Sequence, residues 1–138
     1  MAHVLIDQLA LRSALCEYPV ELAYLFGSQL DGTVSANSDV DIAVLLARDL
    51  AARDRFDLRL ELIRKLSVLL RRDADVVILN DVPSLYFRYR IISQGRLLFS
   101  VSPAAHAQYE SKVMSEYFDF RPFIEQYNAA YLARANEQ

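Results

Sequence analysis

Two aspartates separated by one residue, Asp39 and Asp41, stand at the start of the apolar run "DIAVLL", which ends at Leu46. The run has the length of a buried strand. Because side chains alternate along a strand, both aspartates point the same way, about 6 to 7 Å apart along the backbone. Carboxylates that close repel each other unless a cation lies between them, and Mg²⁺ prefers oxygen ligands. The pair predicts a divalent-metal site, although Asp-x-Asp on its own is more often a solvated turn and strand end.

A possible phosphate site lies one strand earlier, where "VELAYLF", Val20 to Phe26, is followed by Gly27 and Ser28. Glycine lets the backbone approach a ligand closely. Ser28 could begin a short helix whose free N–H groups and hydroxyl hold a phosphate. A phosphate site next to a metal site is a more specific signal than the aspartate pair alone.

A third carboxylate is available where the chain enters the apolar run "VVIL". Asp75 could reach the same pocket if this strand lies beside "DIAVLL", and Asp73, two residues earlier on the same face, is the competing choice. Both could instead belong to a helix-to-strand turn, and for Asp73 we prefer that interpretation. Asp75 is therefore the predicted third acid.

The elements that must position these residues follow from periodicity, turn residues and proline. The pattern predicts a helix before Pro19, strands at Val20 to Phe26 and Asp41 to Leu46, a helix from Asp54 to Leu70, and a strand from Ala74 to Leu79. A helix with Pro83 near its first turn and Gly95 after its end, the short strand "RLLFS", and helices from Pro103 to Gln138 complete the prediction. We expect one domain over residues 1–138, with a core at about 20–100 and a helical segment at about 103–138.

Composition excludes several classes of protein. The chain has 138 residues, 54% of them hydrophobic and 24% charged, with a formal net charge of −3. This excludes disorder, and the scattered basic residues form no stripe for nucleic acid. With Cys16 as the single cysteine and only two histidines, no disulfide framework or His/Cys zinc site is expected. The sequence predicts a cytoplasmic protein with no membrane segment.

The combined motifs carry a family resemblance. Gly27-Ser28, ten intervening residues, Asp39-Val40-Asp41 and a later acid resemble the signature of the DNA polymerase β-like nucleotidyltransferase superfamily. Gly32-Thr33, "NSDVDIAVL" and "RDADVVIL" resemble its minimal nucleotidyltransferases, most of all the MntA-type antitoxins that are paired with a HEPN ribonuclease toxin. The resemblance covers about Val20 to Leu98. Asp31 departs from it, because many relatives carry arginine before the glycine that corresponds to Gly32.

The resemblance implies an α+β fold of the broad α/β type, a mixed β-sheet flanked by helices, which we expect on one side. It implies that Asp39, Asp41 and Asp75 hold two Mg²⁺ ions and act in catalysis, and that Gly27 and Ser28 orient the triphosphate. The implied reaction moves AMP from ATP to a tyrosine hydroxyl of the HEPN toxin and so neutralises it. The alternatives are a non-catalytic antitoxin that blocks the toxin by binding, and a small-molecule nucleotidyltransferase of the aminoglycoside type.

Size and the C-terminal aromatics bear on the acceptor. Few residues remain for a second domain that would enclose a small substrate, which favours a protein acceptor and a hetero-oligomer.

Near the C-terminus, aromatic and aliphatic residues at helical spacing predict one apolar stripe: Phe120, Phe123, Ile124, Tyr127 and Tyr131. We expect this stripe to pack against its own domain rather than to form an interface.

Overall fold

The computed structural model describes residues 7–27 and 40–136. Four helices and four strands follow one another along these residues. They are α1 (Gln8–Leu15), β1 (Val20–Phe26), β2 (Val40–Leu46), α2 (Ala52–Leu70), β3 (Ala74–Ile78), α3 (Leu85–Gln94), β4 (Arg96–Ser100) and α4 (Pro103–Asn136), with a short 3₁₀ helix at Leu79–Asp81. The predicted order of helices and strands is confirmed.

The strands form one mixed sheet in the order β3-β2-β1-β4. Strand β1 is antiparallel to β2 and to β4. Strands β2 and β3 are parallel and are connected through α2, as a parallel pair requires. This is the mixed sheet that the family resemblance implied.

One side of the sheet, the first face, is covered by α1 and α2. Alternate residues of the strands, such as Val40, Ile42 and Val44 of β2, point to this side. They are buried in one cluster with Leu11 and Leu15 of α1 and with Leu62, Leu66 and Leu70 of α2. The first face is a closed aliphatic core.

The other side, the second face, is covered by α3 and α4. Tyr24, Ala43 and Leu22 of the sheet are buried there with Ile91 of α3 and Val113 of α4. The expectation that helices lie on one side was wrong, because the strands have apolar residues at both alternating positions and so need cover on both faces.

A polar contact fixes α4 to the centre of the second face. The buried Tyr24 hydroxyl donates to Glu110 Oε2 at 2.7 Å, and His106 Nε2 lies 2.6 Å from the same oxygen. Burial, with the hydrogen bond to Glu110 as a second cause, raises the pKa of Tyr24 above its ordinary value. The contact satisfies a phenol that would otherwise be buried without a partner.

The helices agree with the sequence prediction in part. Pro83 directly precedes Ser84, the N-cap of α3, and so lies near the first turn as predicted. In α2 the residues at helical spacing are only partly buried, since Phe56 and Leu60 are exposed while Leu66 is fully buried; the full set is Phe56, Leu60, Ile63, Leu66 and Leu70. The segment after Pro103 forms one 34-residue helix rather than several, with Pro122 inside it.

The apolar stripe near the C-terminus does not pack against its own domain, contrary to the prediction. Phe120, Phe123, Tyr127 and Tyr131 are 55%, 64%, 71% and 65% exposed. Helix α4 is about 51 Å long at 1.5 Å per residue, which is longer than the sheet that it crosses. Its second half therefore has no part of the described chain to pack on. No helix among the described residues is long and apolar enough to cross a membrane.

Candidate active site

Two of the predicted acids lie side by side on the sheet. Asp41 near the start of β2 is the register partner of Asp75 near the start of β3. Neighbouring strands are about 4.8 Å apart, and paired residues of parallel strands point to the same side. Since Val40 and Ile42 belong to the first face, both carboxylates belong to the second face. The structure thus brings together Asp41 and Asp75 from positions 34 residues apart.

An arginine of α2 holds Asp75 in place. Arg59 Nη2 donates to Asp75 Oδ1 at 2.8 Å, and Arg59 Nε donates to the backbone oxygen of Val76 at 2.6 Å. The Val76 N–H also donates to Asp75 Oδ1, at 2.9 Å. Because the described contacts all use Oδ1, the second oxygen of Asp75 remains available for a ligand. Arg59 can do this because β3 is an edge strand that α2 reaches from the first face.

Gly27 lies against Asp41, the partner of Asp75 in the pair. Phe26 is the register partner of Asp41 across the β1–β2 pair, so Gly27 comes next to the aspartate. Gly27 has a φ of +86°, and a Cβ built on it would overlap Oδ2 of Asp41. Position 27 therefore requires glycine for two reasons. Its backbone is left-handed, and the Asp41 carboxylate fills the space that a side chain would occupy.

Other predicted residues stand as follows. Ser28 and Asp39 lie outside the described residues, so their roles remain predictions. Asp73 precedes β3 and is exposed, and its backbone oxygen accepts a hydrogen bond from Val40 N at 2.8 Å. This is the position in the helix-to-strand turn that the sequence favoured for it.

The donor atoms suit a hard cation. Asp41 and Asp75 offer carboxylate oxygens, the ligand type of Mg²⁺. No group of three or more His, Cys, Asp or Glu within residues 7–27 and 40–136 is arranged to hold a metal. Asp39, which a strand would direct to the same side as Asp41, lies outside that range. The described pair fits part of a magnesium site.

A cleft of about 770 Å³ lies between the end of β1 and α3. Its described lining is Phe26 and Gly27 from the end of β1, Phe87, Arg90, Ile91 and Gln94 from α3, and Gly95. Phe26 and Phe87 meet edge to face with ring centroids 5.8 Å apart. A cleft of this size is large enough for a nucleotide-sized ligand.

Sequence reasoning missed Arg59, Phe87 and Arg90. Arg59 and Arg90 are ordinary polar positions within helical patterns, and a pattern does not say which strand a helix residue will reach. The position of Arg90 could have been suspected only from its place four residues before the end of a helix that leads into a strand beside β1.

Fold and site together define a class. A mixed sheet that pairs two carboxylates near the starts of neighbouring parallel strands, with a glycine packed against one of them, is the architecture of a nucleotidyltransferase. Residues 10–104 match the family model described as polymerase beta, nucleotidyltransferase. The chain belongs to this family.

Several known proteins are similar to the chain. The protein adenylyltransferase MntA of Shewanella oneidensis strain MR-1 is 39% identical over 80 residues, which are 58% of this chain and 54% of that protein. The chain therefore matches about half the length of this curated relative.

Two solved structures are similar over nearly the whole chain. A crystal structure of a toxin-antitoxin with AMP-PNP gives a TM-score of 0.73 at 28% identity and covers 92% of this chain and 99% of that chain. A crystal structure of the toxin-antitoxin MntA-HepT gives a TM-score of 0.63 at 27% identity, with coverage of 90% and 92%. These structures contain the same fold over both lengths.

Proposed function

We propose that this protein is an antitoxin nucleotidyltransferase that transfers AMP from ATP to a tyrosine hydroxyl of a partner HEPN ribonuclease toxin and so neutralises it. The observation that carries the proposal is the pairing of Asp41 with Asp75 next to Gly27. The adenylyltransferase relative and the similar toxin-antitoxin structure with an ATP analogue support ATP and a toxin as the two substrates.

The carboxylates have distinct roles in this reaction. Asp39 and Asp41 would hold Mg²⁺, which would neutralise the charge of the phosphates. Asp75, with one oxygen fixed by Arg59, either completes a second metal position or accepts the proton of the acceptor hydroxyl. Gly27 brings the end of β1 close to Asp41, and Gly27 and Ser28 orient the triphosphate.

The transfer itself is an in-line displacement. The tyrosine oxygen forms a bond to the α-phosphorus, and the bond from this phosphorus to the oxygen bridging to the β-phosphate breaks. Pyrophosphate leaves with the bridging oxygen, and the tyrosine proton goes to Asp75 or to water. Because the reaction consumes ATP, the proposal places the protein in the cytoplasm.

The exposed half of α4 supports a protein acceptor. Phe118, Phe120, Phe123, Tyr127 and Tyr131 present more than half of their surfaces to solvent on one helix. Exposed aromatic patches of this kind mark protein interfaces. We assign this surface to the toxin, which would bring its tyrosine to the acids at the open edge of the sheet.

The test is intact-mass measurement of the toxin after incubation with this protein, Mg²⁺ and each nucleoside triphosphate in turn. We expect added mass of one or more adenylyl groups with ATP, and no addition with the other three nucleotides or with EDTA. The same measurement identifies the donor, the acceptor and the number of transfers.

The double variant Asp39→Asn with Asp41→Asn separates an enzyme from a blocker. It keeps the shape of both side chains and removes the metal-binding charge. We expect it to bind the toxin, to add no mass and to leave the ribonuclease active. If it protected cells fully without adding mass, the catalytic proposal would be wrong and a non-catalytic antitoxin would replace it.

A further inference from the structure

The strand order gives the candidate site a direction. Asp75, Asp41 and Gly27 lie on or directly after the neighbouring strands β3, β2 and β1, in that order across the sheet. Gly95, just before β4, continues the line because Leu25 pairs with Arg96. At about 4.8 Å per strand, the site therefore has an acidic end at Asp75 and a far end at the cleft.

An in-line displacement makes the two ends unequal. The attacking and leaving oxygens lie on opposite sides of the phosphorus that is transferred. Asp75 at the open sheet edge suits the acceptor, because a carboxylate attracts a hydroxyl proton and repels a departing anion. The leaving pyrophosphate then points past Gly27 into the cleft.

Charge in the cleft agrees with this direction. The described residues that line it include no carboxylate, and the charged residue among them is Arg90. Arg90 donates to Gln94 Oε1 from Nη2 at 3.0 Å and from Nε at 3.3 Å. Both hydrogen bonds lie along α3. Because the side-chain amide of Gln94 is neutral, they do not neutralise the positive charge of the Arg90 guanidinium.

Other arginines around the site are already paired with acids. Arg59 is 2.8 Å from Asp75, and Arg88, also on α3, is 3.5 Å from Glu116. Arg90 forms no ion pair with any acid in the described part of the chain. A guanidinium has the planar, fork-shaped set of donors that recognises phosphate oxygens.

We propose that Arg90 binds the β- and γ-phosphates of the nucleotide and the pyrophosphate that leaves, and that the cleft between Gly27 and α3 is the pyrophosphate side of the site. This assignment rests on the proposed nucleotidyltransferase function. It adds to that function a phosphate-binding residue from α3.

The test is calorimetric binding of ATP, inorganic pyrophosphate and AMP, each with Mg²⁺, to the wild-type protein and to Arg90→Gln. One charged hydrogen-bonding group removed corresponds to about 10- to 100-fold weaker binding. We expect this loss for ATP and pyrophosphate and a change of less than about twofold for AMP, which lacks the β- and γ-phosphates.

Two further variants serve as controls. Arg90→Lys keeps the charge but loses the fork, so it should recover part of the pyrophosphate affinity. Arg64→Gln removes the same charge from an exposed position of α2, where Arg64 pairs only loosely with Glu61 at 3.9 Å. It should bind all three ligands as the wild type does, which excludes a general effect of net charge.

Each outcome has a definite meaning. Unchanged pyrophosphate binding by Arg90→Gln would overturn the assignment, and so would equal losses for AMP and ATP, which would place Arg90 at the nucleoside. Wild-type protein that binds ATP and pyrophosphate but adds no mass to the toxin would overturn the proposed acceptor and leave the role of Arg90 intact. Wild-type protein that binds neither would overturn both.

Discussion

The two faces of the sheet bury different kinds of residues. The first face, under α1 and α2, is an aliphatic core in which Leu62 and Leu66 are fully buried. The second face, under α3 and α4, buries the hydroxyl of Tyr24 on Glu110 and carries the site acids and the cleft near its edge. This small chain therefore keeps most of its stabilising core on one side of the sheet and its chemistry on the other.

Arg59 connects the two sides. It belongs to α2 and therefore to the first face, yet its guanidinium passes the outer strand β3 to reach Asp75. The site thus depends on the first face for the position of one acid. Changes deep in the first core should act on stability, while changes near Arg59, Gly27 or Asp41 should act on the site.

The largest expected effect on stability comes from the first face. Leu66→Ala removes a side chain that is 0% exposed, which should lower the free energy of unfolding by about 3 kcal/mol. The matched control is Val68→Ala in the same helix, where Val68 is 73% exposed, and the expected change there is within about 0.5 kcal/mol. Urea titration measures both.

If the faces are separate in function, folded Leu66→Ala protein should still bind ATP with wild-type affinity at low temperature. Loss of ATP binding by protein that is folded by circular dichroism would show that the first core also shapes the site. In that case the division between the two faces would not hold.

How much the sequence predicted also differs between the faces. The strands were predictable, because an apolar run of this length needs a buried place. The pairing of the Asp75 strand with the Asp41 strand was only a condition of the predicted site, and the structure meets it. Arg59 was not predictable, since helical periodicity fixes the face of a residue but not the strand it reaches. Phe56 and Leu60 fit the helical spacing of α2 yet are exposed. Helical spacing alone could not predict this, because it does not show where the neighbouring strands end.

The C-terminal stripe shows the same limit. Its spacing correctly indicated a helix, but the expectation of burial assumed that the sheet extends under it. Helix α4 continues beyond the sheet, so Phe123 and Tyr127 are exposed. Whether a side chain is buried depends on which other element of the chain packs against it, and the local sequence does not contain that information.

A smaller effect, on stability and site together, is expected at Gly27. Gly27→Ala places a methyl group at a φ of +86° and against the Asp41 carboxylate. The backbone strain should lower the free energy of unfolding by about 1 to 3 kcal/mol. Displacement of Asp41 should reduce Mg²⁺-dependent ATP binding as well, which distinguishes this change from Leu66→Ala.

A double-mutant comparison separates the two causes at Gly27. In an Asp41→Ala background the clash is absent, so Gly27→Ala should cost less stability than in the wild type, by the energy of the clash alone. Equal costs in both backgrounds, measured by urea titration, would assign the whole effect to the backbone and contradict the packing of Gly27 on Asp41.

The change with the smallest effect at neutral pH concerns the second face, and its effect appears only at high pH. Burial raises the pKa of Tyr109 to about 12, although the nearby Arg88 acts to lower it. In the unfolded chain a tyrosine has a pKa of about 10. Between these values the folded state keeps a proton that the unfolded state has lost, so stability falls as pH rises, by about 1.4 kcal/mol per pH unit for this one group.

Tyr109→Phe should remove that part of the slope between pH 10 and 12. At pH 7 it should cost little, because the buried Tyr109 hydroxyl has no hydrogen-bond partner in the described structure. Tyr127→Phe, which changes a side chain that is 71% exposed, is the control and should leave the slope unaltered. Urea titrations at pH 7, 10, 11 and 12 measure the slopes.

Since Tyr24 on the same face also has a raised pKa, the Tyr109→Phe protein should keep a residual alkaline loss of stability. A slope that is the same in wild type and Tyr109→Phe would show that Tyr109 is not buried as described and that α4 is loosely held on the second face.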